Sequence, residues 1–167
     1  ALMSVATGQF LDVRLGAYEQ GERALLMGTL DALRDDDVVV LDRGYPAWWL
    51  FAALQARKLN VCARIDACGW PDVARLLRSS AREVVLTHRP HPATRKAVLA
   101  LGLPCPETIT LRLIKVTLPN GHLEVLATSL VDAEHYPAAT FSALYAKRWA
   151  IEEGFKTIKH RLHIEGW

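Results

Sequence analysis

Residues 35–58 read DDDVVVLDRGYPAWWLFAALQARK, and the order of residue types in that stretch decides the fold class. Asp35, Asp36 and Asp37 make a solvated loop, and Val38-Val39-Val40-Leu41 follows without a spacer. Branching at Cβ suits these side chains to extended backbone. A run with no polar alternation reads as a central strand buried on both faces. The run ends in Asp42, and a turn containing Gly44 leads to Pro46. Proline at a first helical position loses no hydrogen bond and brings a preset φ, so residues 47–58 are expected to continue as a helix. Buried strand, terminal acid, short turn and apolar helix together define a unit of an α/β layer.

Working outward, residues 9–15 (QFLDVRL) alternate apolar and polar side chains, the period-2 pattern of a half-buried strand. Residues 16–21 form a turn bounded by Gly16 and Gly21, and 22–33 have helical composition. Downstream, 60–65 reads as a strand, 71–79 as a helix and 83–87 as a strand. A loop rich in proline and histidine follows at 89–92. Two strand-like runs, 108–118 and 122–130, flank Pro119-Asn120-Gly121, whose Asn-Gly pair is a strong hairpin signal. From Tyr136 to the end the pattern is helical. The expected architecture is one mixed α/β domain over residues 1–167.

Composition narrows the function classes. With 51% hydrophobic and 23% charged residues, the chain is suited to a globular core rather than disorder. No apolar run approaches the roughly 18 residues of a membrane span, and Ala1-Leu2-Met3-Ser4 lacks a signal-peptide pattern, so a cytoplasmic location is expected. Cys62, Cys68 and Cys105 are odd in number and form no C-x-x-C pair, which reads as buried thiols rather than disulfides or a zinc ribbon. His88 and His91 have no zinc-ligand spacing. No Gly-rich phosphate loop is present, which counts against a nucleotide-cofactor enzyme. The net charge of +2 is neutral evidence about nucleic acid, although Arg75, Arg78, Arg82, Arg89, Arg95 and Lys96 crowd the middle.

On the final helix, Tyr145, Arg148, Glu152 and Lys159 fall within a stripe about 60° wide at helical spacing. Leu144, Ile151, Phe155, Ile158 and Leu162 make the neighbouring apolar face, while Lys147, Glu153, Thr157 and Arg161 face solvent. Taken alone, Arg148 and Glu152 are an ordinary i,i+4 ion pair worth a few tenths of a kcal/mol. Asp42 is the more pointed residue, because ligands of α/β sheets gather beyond the carboxyl ends of strands. It stands too far before Pro46 to serve as a helix cap. Arg43 and Tyr45 beside it can donate to phosphate oxygens. Trp48, Trp49, Trp149 and Trp167 are able to stack on bases, but packing is the ordinary use of tryptophan.

These two segments together resemble the DDE transposases of the insertion-sequence-4 family. Asp42-Arg43-Gly44-Tyr45 after an apolar strand resembles that family's second catalytic-acid segment, and Tyr145-x2-Arg148-x3-Glu152-x6-Lys159 matches its signature around the catalytic glutamate. Ala127-Thr128-Ser129-Leu130 and Gly21-Glu22-Arg23 agree as well. The resemblance implies a ribonuclease H-like catalytic core with a β-rich insertion, placed at about residues 88–130. It implies that Asp42 and Glu152 hold divalent ions, Mg2+ with Mn2+ as a substitute, for hydrolysis and strand transfer at DNA phosphodiesters. Tyr145, Arg148 and Lys159, with Arg43 and Tyr45, are the implied DNA contacts, and a homodimer is the implied assembly.

The same resemblance implies a first catalytic aspartate on an earlier strand, and the chain has no match to it. Asp12 reads as the solvent face of a strand. The core is therefore expected to be incomplete at its N-terminus and this polypeptide inactive alone. A non-catalytic DNA-binding remnant is the alternative, and a stand-alone nuclease would need Asp12 or Asp66 as its third acid.

Overall fold

The computed structural model describes residues 1–17, 20–118 and 121–162, without the side chains of Lys159 and Leu162. The chain divides into two compact units: Arg34–Tyr145, and Ala1–Leu33 with Ala146–Trp167.

The larger unit carries a five-stranded sheet. Its elements are β3 (Val38–Leu41), α2 (Trp48–Ala56), β4 (Asn60–Ile65), α3 (Pro71–Arg78), β5 (Glu83–His88), α4 (Pro92–Ala100), β6 (Ile109–Thr117) and β7 (Leu123–Thr128), followed by α5 (Thr140–Ala146). The strand order is β3-β4-β7-β6-β5. The β3–β4 pair is parallel, as a helical crossover through α2 requires, and the remaining pairs are antiparallel. Strands β6 and β7, from the stretch read as β-rich, pair directly with their neighbours in the sheet that contains β3.

Period-2 alternation sorts the strand residues onto two faces. Cys62, Ile114, Val116 and Leu126 form one buried cluster with Leu130 and with Phe141 and Tyr145 of α5; Val38 and Val40 pack against it. The opposite parity, including Val39, Leu41, Val61, Ala63, Leu111 and Leu113, is also buried. Helix α2 touches β4, β6 and α4. That accounts for its apolarity all round, with Leu50, Phe51 and Leu54 fully buried. Arg112, 1% exposed, is the one charged residue in this core among the described residues. Its guanidinium donates to Glu83 Oε2 at 2.5 Å and to the Tyr136 carbonyl at 2.6 Å, and lies 5.6 Å from the Phe141 ring centre.

Three sequence expectations are corrected here. Val38–Leu41 is an edge strand of the described sheet, not a central one. The apolar run correctly signals two buried faces but carries no information about lateral partners. Helix α2 begins at Trp48, because Ala47 is extended (φ −152°, ψ 141°) and serves as the N-cap, which leaves Pro46 outside the helix, just after the turn that the Tyr45 N–H closes on the Asp42 carbonyl (3.1 Å). The last segment is not helical from Tyr136. Pro137 disfavours helix at the residue before it, and α5 starts at Thr140. Helix α4 is not among the sequence expectations, which place a loop at 89–92 and the next element at 108. His91 Nδ1 caps it by accepting from the Ala93 N–H at 3.3 Å. The Leu118 N–H reaches the His122 carbonyl at 2.9 Å across the hairpin; Pro119 and Asn120, on which the turn signal rested, lie outside the described residues.

In the smaller unit, β1 (Leu2–Met3) and β2 (Phe10–Asp12) pair antiparallel. Helix α1 (Glu22–Thr29) runs into a 3-10 turn at Leu30–Ala32, and a 3-10 turn at Lys147–Trp149 leads into α6 (Ala150–Leu162). The strand expected over 9–15 shrinks to three residues, for its β1 partner has only two, and Leu15 is 96% exposed. Phe10 meets Phe155 at 5.8 Å between ring centres, directly over Gly154. No helix among the described residues is long and apolar enough to cross a membrane.

Candidate active site

Asp42 follows the last residue of β3, where the chain leaves the sheet. Since Leu41 pairs with Ala63, the next position along brings Asp42 beside Arg64 of β4. Arg64 in turn pairs with Leu126 of β7, two residues from Glu124. Asp42, Arg64 and Glu124 thus share the sheet face that α5 covers, and α5 presents Tyr145 to it. The Tyr145 hydroxyl donates to Asp42 Oδ1 at 3.0 Å across 103 positions of sequence. Arg64 Nε stands 3.6 Å from the same oxygen, and Arg64 Nη1 stands 3.6 Å from Glu124 Oε1. Arg43 caps the group from outside, donating to Glu124 Oε1 at 3.2 Å. Tyr45 is half-buried on the turn after Asp42.

This face therefore holds two carboxylates and two guanidiniums within one unit. Asp42 keeps 41% of its side chain exposed, whereas Glu124 keeps 18%.

The second group lies in the smaller unit. Arg148 Nη1 donates to Glu152 Oε1 at 2.8 Å, and its guanidinium carbon sits 5.2 Å from the Trp149 ring centre. Arg148 is mostly covered, at 12% exposure, and Glu152 is 39% exposed. The single stripe expected from Tyr145 to Lys159 is corrected: the 3-10 turn breaks the helical register between Tyr145 and Glu152, and the two residues belong to different units. Lys159 is on α6, and its side chain lies outside the described residues.

Other sequence candidates have structural partners. Asp12 accepts from Arg14 Nε at 3.0 Å. His88 packs edge-on to Trp70 with Nδ1 3.8 Å from Asp72 Oδ2, and burial lowers its pKa. No group of three or more metal-ligating side chains occurs among the described residues. Trp48 is buried in the core and Trp149 is 58% exposed against Arg148; Trp167 lies outside the described residues. Of the cysteines, Cys62 is buried, Cys105 half-buried and Cys68 exposed, so the buried-thiol reading is corrected at Cys68.

Sequence reasoning missed Arg64 and Glu124. A signal was available for Arg64: a single cation inside the apolar strand NVCARI has to be matched by buried negative charge. Glu124 carried none, because a glutamate near a strand start is ordinary.

A strand-end acid held by Tyr145 of α5 in the larger unit, and an Arg–Glu pair at the start of α6 in the smaller one, are the two groups in which the site candidates fall. The chain belongs to the transposase DDE domain family, whose model matches residues 1–166, and within it to the insertion-sequence-4 type. Members of the family use divalent metal ions. The chain is 24% identical over 147 residues to transposase InsG for insertion sequence element IS4 from Escherichia coli (strain K12). That alignment covers 88% of this chain and 32% of the relative, so the chain spans about a third of the length of the curated relative it matches. No solved structure matches it.

Proposed function

We propose that this chain supplies part of the catalytic core of a DNA transposase, with Asp42 and Glu152 as two of its metal-holding acids. The observation that carries the proposal is the hydrogen bond from Tyr145 to Asp42, which joins the strand-end motif to the start of the glutamate motif. Two motifs recognised independently in the sequence meet in one side-chain contact, and the family match spans both.

Each acid, taken by itself, has the hard carboxylate oxygens that suit a divalent ion, Mg2+ with Mn2+ as substitute, and each side chain is partly exposed. Held there, such an ion would supply Lewis-acid chemistry for attack by a water or 3′-hydroxyl on a phosphodiester and for departure of the leaving oxygen. The chain's own residues do the holding: Tyr145 fixes one oxygen of Asp42, and Arg148 fixes one oxygen of Glu152. Arg148, Lys159, Arg43 and Tyr45 neutralise or contact DNA phosphates, with Tyr145 orienting the strand. We further propose a ribonuclease H-like arrangement with residues 88–130 as its β-rich insertion, a cytoplasmic setting and a homodimeric assembly.

The chemistry of this family calls for a third acid. Asp12 is a poor candidate, being bound to Arg14. Purified chain is therefore expected to bind DNA but not to nick it with Mg2+. Nicking of supercoiled DNA that Asp12→Ala abolishes would overturn that expectation. DNA affinity at low salt unchanged by Arg148→Ala with Lys159→Ala would remove the assigned phosphate contacts. Affinity indifferent to Mg2+, together with Asp42→Asn leaving ion binding unchanged, would favour a non-catalytic DNA-binding remnant.

A further inference from the structure

Arg64 is not accounted for by any role above. Its guanidinium is 3.6 Å from Asp42 and 3.6 Å from Glu124, equally shared between two carboxylates on strands either side of its own. Its Nε is buried, stands 3.6 Å from Asp42 Oδ1, and has no hydrogen-bond partner among the described residues. At 3.6 Å the contact is an ion pair and not a hydrogen bond. The Asp42 oxygen is already engaged by Tyr145 at a shorter distance. Glu124 meanwhile has a second cation, Arg43, at 3.2 Å.

We propose that Arg64 is a resident cation that neutralises Asp42 until a divalent ion does so, with Glu124 as the anchor that retains Arg64 when the ion binds. This rests on the reading of Asp42 as a metal-holding acid. An unpaired carboxylate beside an apolar cluster is costly, and a guanidinium beside it offsets that cost. The same positive charge repels an arriving cation. A second carboxylate on the far side of Arg64 gives its charge another place to rest, so binding requires only a redistribution between Asp42 and Glu124. Arg64 is thus a positioning residue, acting on the ion through Asp42.

The proposal gives opposite signs for two substitutions. Arg64→Gln removes the competing charge and should tighten Mn2+ binding by roughly tenfold at low salt. Glu124→Gln leaves Arg64 with Asp42 as its carboxylate partner and should weaken binding. The double variant should bind more tightly than Glu124→Gln alone, since the charge that Glu124 anchors is gone while Arg43, its other partner, is unchanged in both. The measurement is a Mn2+ titration of the intact chain followed by electron paramagnetic resonance of the free ion, with Mn2+ as the probe and no DNA present. Asp42→Asn is the control, expected to weaken binding. Should Asp42→Asn bind as the unaltered chain does, the metal reading of Asp42 fails. If Asp42→Asn weakens binding but the two single variants shift it in the same direction, or not at all, that reading stands and the role of Arg64 is refuted. A merely structural Arg64 would weaken binding in both. Should Arg64→Gln fold poorly, Arg64→Met, which keeps the apolar stem and removes the charge, takes its place in the sign test.

Discussion

Single side chains carry most of the site. Tyr145 is 3% exposed, and its hydroxyl has Asp42 within reach. Tyr145→Phe keeps the ring in the cluster with Phe141 and Leu126 and removes only the donor. It is expected to lower unfolding stability by about 1 kcal/mol in urea, discounted because Asp42 is partly solvated. A loss several times larger would mean that the ring itself shifts. Cys62 is a second residue-scale test. Burial pushes its thiol up to about 12 from 9.0. The unfolded thiol ionises at lower pH than the folded one, so the contribution is intact below pH 9 and is lost as pH rises toward 12. Stability should therefore fall through that window and fall less steeply in Cys62→Ala, which pH-dependent urea unfolding will read. Legibility differed among these residues for physical reasons. Asp42 stood out because an acid ends an apolar run, and Arg148 with Glu152 because of the i,i+4 interval. Tyr145's partner was invisible, since nothing local in sequence announces a contact across 103 positions.

At the scale of elements, strands with dense β-branched runs were legible and their neighbours were not. Residues 60–65 were read with the bounds that the structure gives to β4, because Val61, Cys62, Ala63 and Ile65 are all buried. The lateral order β3-β4-β7-β6-β5 depends on contacts distant in sequence, and the edge position of β3 had no local sign. The final segment misled because an unbroken helical period passes smoothly through Lys147–Trp149, where the backbone tightens to a 3-10 turn. Gly154 tests the packing of the smaller unit. A Cβ there would stand 2.8 Å from Phe10 Cζ and 3.3 Å from Met3 Sδ. Alanine improves helix propensity by about 1 kcal/mol, but overpacking against a ring costs about 1–3. Gly154→Ala is expected to destabilise by about 1 kcal/mol net in thermal or urea unfolding, and Phe10→Leu in the same chain should recover it. Stabilisation by Gly154→Ala alone would show that Phe10 is free to move aside.

For the whole molecule, composition alone was a weak guide: a net charge of +2 spread over 167 residues points to no partner. What identified the chain was two motifs in a fixed order, and the family match extends over residues 1–166, through both compact units. The two acids proposed as metal-holding divide between those units, Asp42 in one and Glu152 in the other. The central claim is that both hold the same class of divalent ion. Ferrous ion in place of Mg2+, with ascorbate and peroxide, generates radicals that cut the backbone beside the bound metal. Cuts mapped by mass spectrometry are predicted near residues 42–45 and near 148–155, each set lost in Asp42→Asn or Glu152→Gln respectively and suppressed by excess Mg2+. Cuts confined to other segments, or unchanged in both variants, would contradict the assignment of Asp42 and Glu152.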